Sequence, residues 1–189
     1  MRAISFFLVT GALLAAPAWG DDNAARVESS RNAVKLLQGA LVTELQAAMK
    51  SGGPVQAIEV CHTRAAVIAE GISRETGMRV GRTSLKYRNP KNAPDAWETK
   101  VLQDFEKRKA AGESPAKLEY HEVVQMEGKP VFRYMKALPV PEGAPCLACH
   151  GQKLDPAVAA RIKELYPQDQ ATGYKTGDLR GAVTIEQPL

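Results

Sequence analysis

Apolar residues recur at three- and four-residue spacing along the N-terminal half of the chain, with charged and amide side chains between them. This spacing predicts two amphipathic helices, the first over residues 24–50 and the second from residue 54 to about residue 76. Ser51-Gly52-Gly53-Pro54 separates them, because glycine ends helices and proline is favoured at a helix start. The first helix is expected to pack on its own core, and its length leaves room for a dimer seam.

The rest of the chain alternates short apolar segments with turn residues, which predicts strands and two further helices. The predicted strands are residues 79–86, 118–126, 130–138 and 182–186, and the predicted helices are residues 95–111 and 156–165. Glu127-Gly128 is typical of the tight turn of a β-hairpin. This order of elements predicts an α+β fold in one domain, with a small antiparallel sheet and flanking helices.

One short segment near the C-terminus carries distinctive chemistry. Cys146-Leu147-Ala148-Cys149-His150 is a C-x-x-C-H sequence, the attachment signature of a c-type haem. Two thiols at this spacing reach the two vinyl groups on one porphyrin edge, and His150 is then placed to be the proximal iron ligand. A zinc ribbon would need a second ligand pair, and a disulfide oxidoreductase would not need the histidine. The motif predicts one haem c, attached covalently to Cys146 and Cys149.

The N-terminus has the pattern of a secretory signal peptide. Arg2 precedes an apolar run over residues 3–15, and Ala18-Trp19-Gly20 offers small residues before a cleavage point at Asp21. The run is too short for a lasting membrane span, although an uncleaved anchor is the alternative. Haem is joined to C-x-x-C-H outside the cytoplasmic membrane, so both features predict a periplasmic protein. Residues 1–20 are the predicted signal peptide and residues 21–189 the mature domain, with no stable membrane span.

Composition and charge are those of an ordinary globular protein. The formal net charge is +4, removal of Arg2 lowers it by one, and two haem propionates would nearly cancel the remainder. The basic balance is therefore no reason to expect nucleic acid as a partner. A group of basic residues is expected either to pair with propionates or an acidic redox partner, or to form a solvated strand face and loop: Arg79, Arg82, Lys86, Arg88 and Lys91.

Sequence chemistry leaves the sixth ligand of the iron open. Cys61 lies in the apolar stripe of the second helix with Ile58 and Ile68, so its sulfur is expected to point inward. Because the motif uses the other two cysteines, Cys61 is the odd thiol of an exported protein. It is either a buried free cysteine or a thiolate ligand. The other candidates for the sixth position are His62, His121, Met49, Met78, Met126 and Met135.

Several short segments form an ordered set that is more specific than the haem motif alone. They are residues 57–61, 82–84, 88–94, 146–151, 166–167, 173–174 and 177–181. Together they resemble the PAS-like haem c domain proteins, a bacterial and cyanobacterial family long catalogued as a domain of unknown function. The resemblance covers essentially the whole predicted mature chain. It implies a PAS-like fold and His/Cys axial ligation, with His150 proximal and Cys61 distal.

This ligation favours certain functions over others. A thiolate opposite histidine stabilises ferric iron and predicts a low reduction potential. A six-coordinate iron has no open position for substrate, so we expect no enzyme activity. A ligand that protonates, oxidises or exchanges on reduction can act as a switch. We therefore favour a redox or small-gas sensor with a redox or signalling protein partner, then a monohaem electron carrier, and last a peroxidase-type enzyme.

Overall fold

The computed structural model describes residues 19–189, which form four α-helices and four β-strands. In chain order these elements are α1 (Trp19–Thr76), β1 (Arg79–Thr83), α2 (Ala96–Ala110), β2 (Glu119–Met126), β3 (Lys129–Pro139), α3 (Leu147–His150), α4 (Pro156–Leu165) and β4 (Leu179–Pro188). Of the predicted signal peptide, residues 1–18 lie outside the described residues. Within residues 19–189, no helix is both long enough and apolar enough to cross a membrane.

Helix α1 is broken where the sequence predicts a break. Gly52 and Gly53 have non-helical backbone angles, and the φ of 70° at Gly53 is one that glycine adopts without strain. The two arms of α1 fold back on each other, since the side chain of Arg64 lies 3.5 Å from that of Glu44. On a straight helix these residues would be about 30 Å apart. The predicted pair of helices is therefore confirmed, and it forms a helical hairpin.

The four strands form one antiparallel sheet in the order β1-β4-β3-β2. Strands β2 and β3 are joined by Glu127 and Gly128, whose φ angles of 51° and 77° are those of the predicted tight turn. Strand β4, the last in sequence, lies in the middle of the sheet and pairs with both β1 and β3. The predicted α+β fold, PAS-like and with flanking helices, is confirmed.

Apolar side chains cover both faces of the sheet. On one face α1 packs against β3 and β4, through a cluster that includes Val34, Leu37, Ile72, Phe132, Tyr134, Val183 and Ile185. On the other face α2 packs through Val101, Leu102, Phe105, Met135, Ala137 and Ala182. Helix α4 lies away from the sheet and packs on the second arm of α1, through Ile58, Val158 and Ile162. Each large side chain buried in this way contributes about 1.5–3 kcal/mol.

The junction of β1 and β4 departs from the predicted boundaries. Strand β1 ends at Thr83 and not at residue 86, because the hydroxyl of Ser84 donates to the carbonyl of Arg180 at 2.8 Å and accepts from the backbone N–H of Lys86 at 3.2 Å, which turns the chain away. Strand β4 begins at Leu179, three residues earlier than predicted. At this corner the residues that follow β1 and those that begin β4 therefore meet.

Candidate functional site

The C-x-x-C-H segment forms the short helix α3, which is held against the loop of residues 169–174. The backbone N–H of Gly173 donates to the carbonyl of Gly151 at 3.0 Å, and that of Tyr174 donates to the carbonyl of His150 at 3.0 Å. Gly151 has to be glycine here, since a Cβ atom would lie 2.4 Å from the carbonyl oxygen of Leu147. Backbone hydrogen bonds alone thus position the C-x-x-C-H segment against the loop.

The imidazole of His150 is fixed in one tautomer. Its Nδ1 lies 2.7 Å from the carbonyl oxygen of Ala171, and because a carbonyl can only accept, Nδ1 carries the proton. The Nε of Arg180, 3.3 Å from the same nitrogen, therefore finds no lone pair there. Burial, reinforced by the charges of Arg180 and Arg88, holds the pKa of His150 well below its usual range. The ring is neutral, and Nε2 keeps the lone pair that a metal ligand needs.

The two cysteines of the motif carry free thiols on different sides of α3. Cys146 packs against the cluster of Val140, Ala171 and Tyr174. Cys149 packs against the cluster that joins α1 to α4. Burial raises the pKa of both thiols, and both remain partly exposed. Both thiols are therefore available for covalent chemistry.

The prediction that the sulfur of Cys61 points into the core is wrong, since its side chain is exposed. The second arm of α1 packs on two separate clusters: Ile72 faces the sheet, and Ile58 faces α4. Cys61 lies on the helix between them, where α1 crosses the gap from one cluster to the other. A regular apolar stripe identifies the face of a helix that packs on the protein, but it does not show at which residues along that face no other element is in contact.

The thiol of Cys61 is exposed, but neighbouring protein still affects it. The neighbouring protein desolvates the thiol and raises its pKa, while the charges of Arg82 and Arg88 act in the opposite direction. Cys61 in turn contributes to the raised pKa of Cys149, which lies in the motif. Cys149 also packs on the cluster of Ile58, one helical turn before Cys61. The structure therefore brings Cys61 to the C-x-x-C-H segment.

The other candidate ligands are distributed over the molecule. His62 lies beside Cys61 and contacts Tyr166 edge-on, with ring centroids 5.0 Å apart. His121 lies on the edge strand β2 and stacks on Phe132, with centroids 5.5 Å apart. The methionines lie in the first arm of α1 (Met49), against the α1-side core (Met78), at the hairpin end (Met126) and under α2 (Met135). Of the histidine candidates, His62 is thus the one that lies next to Cys61.

Arg88 ties α3 to the loop that orients His150. Its guanidinium pairs with Asp169 at 3.0 Å and donates to the carbonyl oxygens of Cys149 at 2.6 Å and Ala171 at 3.3 Å. Both charged side chains are nearly buried, with 11% and 9% of their surface exposed. Because the carbonyl of Ala171 also accepts from His150, Arg88 helps to fix the acceptor that sets the tautomer of His150.

The remaining basic residues of the predicted group do not share one surface. Lys86 donates to the carbonyl of Thr172 at 2.6 Å and lies over the ring of Tyr174. Arg79 pairs with Glu186 at the far end of β1, and Lys91 is exposed on a 3-10 turn. A solvated strand face and loop is therefore the wrong description for Arg88, whereas Lys86 is exposed although it contacts the loop of residues 169–174. That description fits Lys91.

Sequence reasoning missed Asp169, Ala171 and Arg180. The guanidinium of Arg180 lies against Tyr174, 5.5 Å from the ring centroid, and donates to Ser84 Oγ and the carbonyl of Lys86, both at 3.2 Å. Burial lowers the pKa of Arg180 to about 10. The segment of residues 177–181 did mark this region as distinctive, but nothing local to it indicates a neighbour 30 residues away at His150.

The arrangement lacks the ligand set for a bare metal ion. Across residues 19–189, no group of three or more His, Cys, Asp or Glu side chains is placed to bind one. It does offer two free thiols, a neutral imidazole with an available nitrogen, and a further sulfur nearby. This set fits a porphyrin iron, because the macrocycle supplies the four equatorial ligands and the protein needs to supply only axial ones.

Comparisons with known proteins bear on the same region. A family model described as Tll0287-like, Tll0287, matches residues 21–188. The fold is similar to the solved structure titled "Crystal structure of the cyanobacterial heme-protein Tll0287", with a TM-score of 0.62 and 26% sequence identity, over 90% of this chain and 97% of that one. No curated protein matches the chain. The family and structural matches agree with the resemblance drawn from the short segments.

Proposed function

Since the chain belongs to the Tll0287-like family, which matches residues 21–188, we propose that it binds one haem c and acts as a redox or small-gas sensor. The protein titled as a haem protein covers 90% of this chain in the structural match, which supports haem as the ligand. The observation that carries the proposal is the 2.7 Å hydrogen bond from His150 Nδ1 to the carbonyl of Ala171. This bond leaves Nε2 as the free nitrogen in a motif that also holds two free thiols.

In this proposal each residue of the motif has a separate role. The thiols of Cys146 and Cys149 would hold the porphyrin covalently, each by addition of its S–H across a vinyl double bond, with no net oxidation. His150 would supply Nε2 as the proximal ligand, and Cys61 would supply its sulfur as the distal ligand. The bound haem would contribute a redox-active iron. Because the protein would supply both axial ligands, we propose no catalytic residue and no enzyme activity.

The two axial sides differ in how firmly the protein holds them, and this asymmetry supports sensing. His150 is fixed by the carbonyl of Ala171, which Arg88 in turn contacts. The thiol of Cys61 makes no hydrogen bond within the described part of the chain, and desolvation raises its pKa. A thiolate ligand in such surroundings is the weaker partner when the iron is reduced. Exchange at Cys61 would then report the redox state or admit a small gas.

Absorption and electron paramagnetic resonance spectra of ferric and ferrous holoprotein test this proposal. Wild type is compared with Cys61→Ser, and His121→Ala serves as the control because His121 lies on the distant edge strand. We expect low-spin thiolate features in ferric wild type and in the control, and their absence from Cys61→Ser. Identical spectra in all three proteins would remove Cys61 from the iron and make His62 the next candidate.

Electron transfer is the second candidate function. The network around His150, Ala171 and Arg88 favours it, because a rigid ligand lowers the rearrangement that accompanies a change of iron charge. The same spectra separate the two functions. Loss of the thiolate features on reduction supports a sensor, whereas their retention in ferrous protein supports a carrier. Either function would require a redox or signalling protein partner, which we place in the periplasm together with the exported chain.

A further inference from the structure

Arg82 lies on the side of the sheet that faces α1 and Cys61. It pairs in register with Val183 of β4, and it lies two residues after Val80 on β1. Both valines belong to the cluster that packs on α1, and side chains two residues apart on a strand share a face. The guanidinium of Arg82 therefore lies on the side of β1 that faces α1, the helix that carries Cys61. The mutual effects of Arg82, Cys61 and Tyr166 on one another's pKa values agree with this placement.

Arg82 differs from the neighbouring cations because it has no partner among residues 19–189. Arg79 pairs with Glu186, Arg88 pairs with Asp169, and Arg180 donates to Ser84. No hydrogen bond and no ion pair joins the guanidinium of Arg82 to any group in that range. A guanidinium carries five N–H donors, and because the side chain of Arg82 is exposed, these donors are open to a ligand. Nearby protein still desolvates the side chain enough to lower the pKa of Arg82.

The charge around His150 is also unbalanced. The charges of Arg180, Arg88 and Arg82 all lower the pKa of the imidazole, so three guanidiniums contribute positive charge to its surroundings. Asp169 is paired with Arg88, which leaves Arg82 and Arg180 without a carboxylate partner in the described part of the chain. The hydroxyl of Tyr166, whose pKa the charge of Arg82 affects, likewise makes no hydrogen bond there. The site thus presents unmatched positive charge and unused donors on the side of Cys61.

We propose that Arg82, together with the hydroxyl of Tyr166, binds a carboxylate of the haem. This inference rests on the proposed function and assigns a residue that positions the cofactor. The planar fork of a guanidinium matches the two oxygens of a carboxylate, whereas a thiolate ligated to iron has little remaining acceptor capacity. A haem carries two carboxylates, and the site has two guanidiniums free to balance them. Of these two, Arg82 is the one whose guanidinium has no hydrogen bond within residues 19–189 to break.

Resonance Raman spectra and midpoint potentials of the holoprotein test this assignment. The proteins are wild type, Arg82→Gln, Arg82→Lys and Tyr166→Phe, with Arg74→Gln as the matched control. Arg74 is an exposed arginine in the last turn of α1, so its variant removes the same charge at a position far along the helix from Cys61. Covalent haem and ferric thiolate features are first measured in wild type, so that failure of the proposed function is seen before any variant is compared.

We expect Arg82→Gln to shift the propionate bending band and to lower the midpoint potential. The ratio of oxidised to reduced protein at a fixed potential should rise about tenfold, which corresponds to about 59 mV for one electron. Arg82→Lys should change the midpoint potential only a little but should shift the propionate band. Lysine keeps the positive charge, but it lacks the planar guanidinium that matches a carboxylate. Tyr166→Phe should shift the band alone. Arg74→Gln should leave both unchanged.

Two outcomes would overturn the assignment while the haem is in place. The first is a propionate band that stays unchanged in both Arg82 variants. The second is a change in the thiolate features of Arg82→Gln with the band unchanged, which would make Cys61 the partner of Arg82. If Arg82→Gln does not fold, the propionate band of Arg82→Lys and of Tyr166→Phe tests the assignment instead. Wild type without covalent haem would reject both this inference and the proposed function.

Discussion

His150 Nδ1 lies 2.7 Å from the carbonyl oxygen of Ala171, which is 21 residues further along the chain. The same carbonyl accepts from Arg88, and Arg88 also donates to the carbonyl of Cys149, next to the histidine. A loop therefore orients the imidazole, and the side chain of Arg88 joins this loop to α3, the helix that carries the imidazole. Second contacts of this kind fix the tautomer and ring orientation of a metal-binding histidine.

Removal of the Arg88 side chain should destabilise the protein markedly. Arg88→Gln leaves Asp169 nearly buried without its cation, and loss of one partner of a buried ion pair costs about 3–5 kcal/mol. Because both residues retain some exposure, we expect a loss of about 3 kcal/mol in the free energy of unfolding, measured by urea denaturation of the holoprotein. We also expect altered ferric spectra, since the acceptor of His150 loses its support.

The matched control is Arg64→Gln. Arg64 pairs with Glu44 across the helical hairpin at 3.5 Å, but both side chains are substantially exposed. Exposed pairs contribute about 0–1 kcal/mol, so this variant should lose little stability. Equal losses in Arg88→Gln and Arg64→Gln would show that the contacts of Arg88 with α3 and the loop contribute nothing specific.

Glu119 should make the stability depend on pH in acid. The hydrogen bond from Arg31 is the main reason why the pKa of Glu119 falls from 4.5 to about 2, and the hydroxyl of Tyr134 adds a bond at 2.7 Å. A lowered pKa means that the folded state favours the charged form. This stabilisation is complete above pH 4.5 and is lost as the pH falls towards about 2. Discounted for the exposure of Arg31, it should amount to about 1–2 kcal/mol.

The measurement is the unfolding free energy of wild type minus that of Glu119→Gln, followed from pH 6 down to pH 2.5. The difference should shrink across this range, because protonation makes the wild-type side chain as neutral as glutamine. Arg31→Gln should remove most of the pH dependence, since it removes the main cause of the shift. If the difference in unfolding free energy is constant with pH, the ion pair between Arg31 and Glu119 does not form in solution.

Gly181 should not tolerate even one added carbon. Its φ is 145°, and a Cβ atom would lie 2.3 Å from the carbonyl oxygen of Thr83. Gly181→Ala combines backbone strain with a clash that backbone atoms cannot relieve, and we expect it to lose about 2–4 kcal/mol. Because Arg180 precedes this glycine, the haem spectra should change as well.

Gly39→Ala is the control for that substitution. Gly39 lies inside α1 with open space around the position of a Cβ atom, so alanine should raise the unfolding free energy by up to about 1 kcal/mol. Urea denaturation of both variants gives the comparison. A neutral result for Gly181→Ala would show that β1 and β4 can separate at this corner without cost.

Export can be tested through the N-terminus of the purified holoprotein. Cleavage of the predicted signal peptide should leave Asp21 as the first residue, and mass spectrometry should also show the added mass of one haem. The control is Cys146→Ala with Cys149→Ala, which should be cleaved at the same place but carry no covalent haem. A chain that keeps residues 1–20 would support the membrane-anchor alternative.

The elements with strong local signals could be predicted from the sequence. The break at residues 51–54, the hairpin turn at Glu127-Gly128 and the start of α4 after Asp155 depend on neighbours in sequence, and all three lie where they were predicted. The C-x-x-C-H segment is equally local, because its chemistry depends on spacing alone. For the same reason Cys146, Cys149 and His150 could be chosen as site residues without a structure.

Contacts between distant segments were decided only by the tertiary structure. Cys61 is exposed because it lies between the two clusters on which α1 packs. The spacing of apolar residues along a helix does not show where such clusters lie. Ala171 contributes only a backbone carbonyl. Any residue type can supply one, so the sequence carries no signal for this contact. Arg82 and Arg88 look alike in sequence, but one has Asp169 as its partner and the other has none within residues 19–189. Sequence determines which groups are available, and packing determines which of them meet.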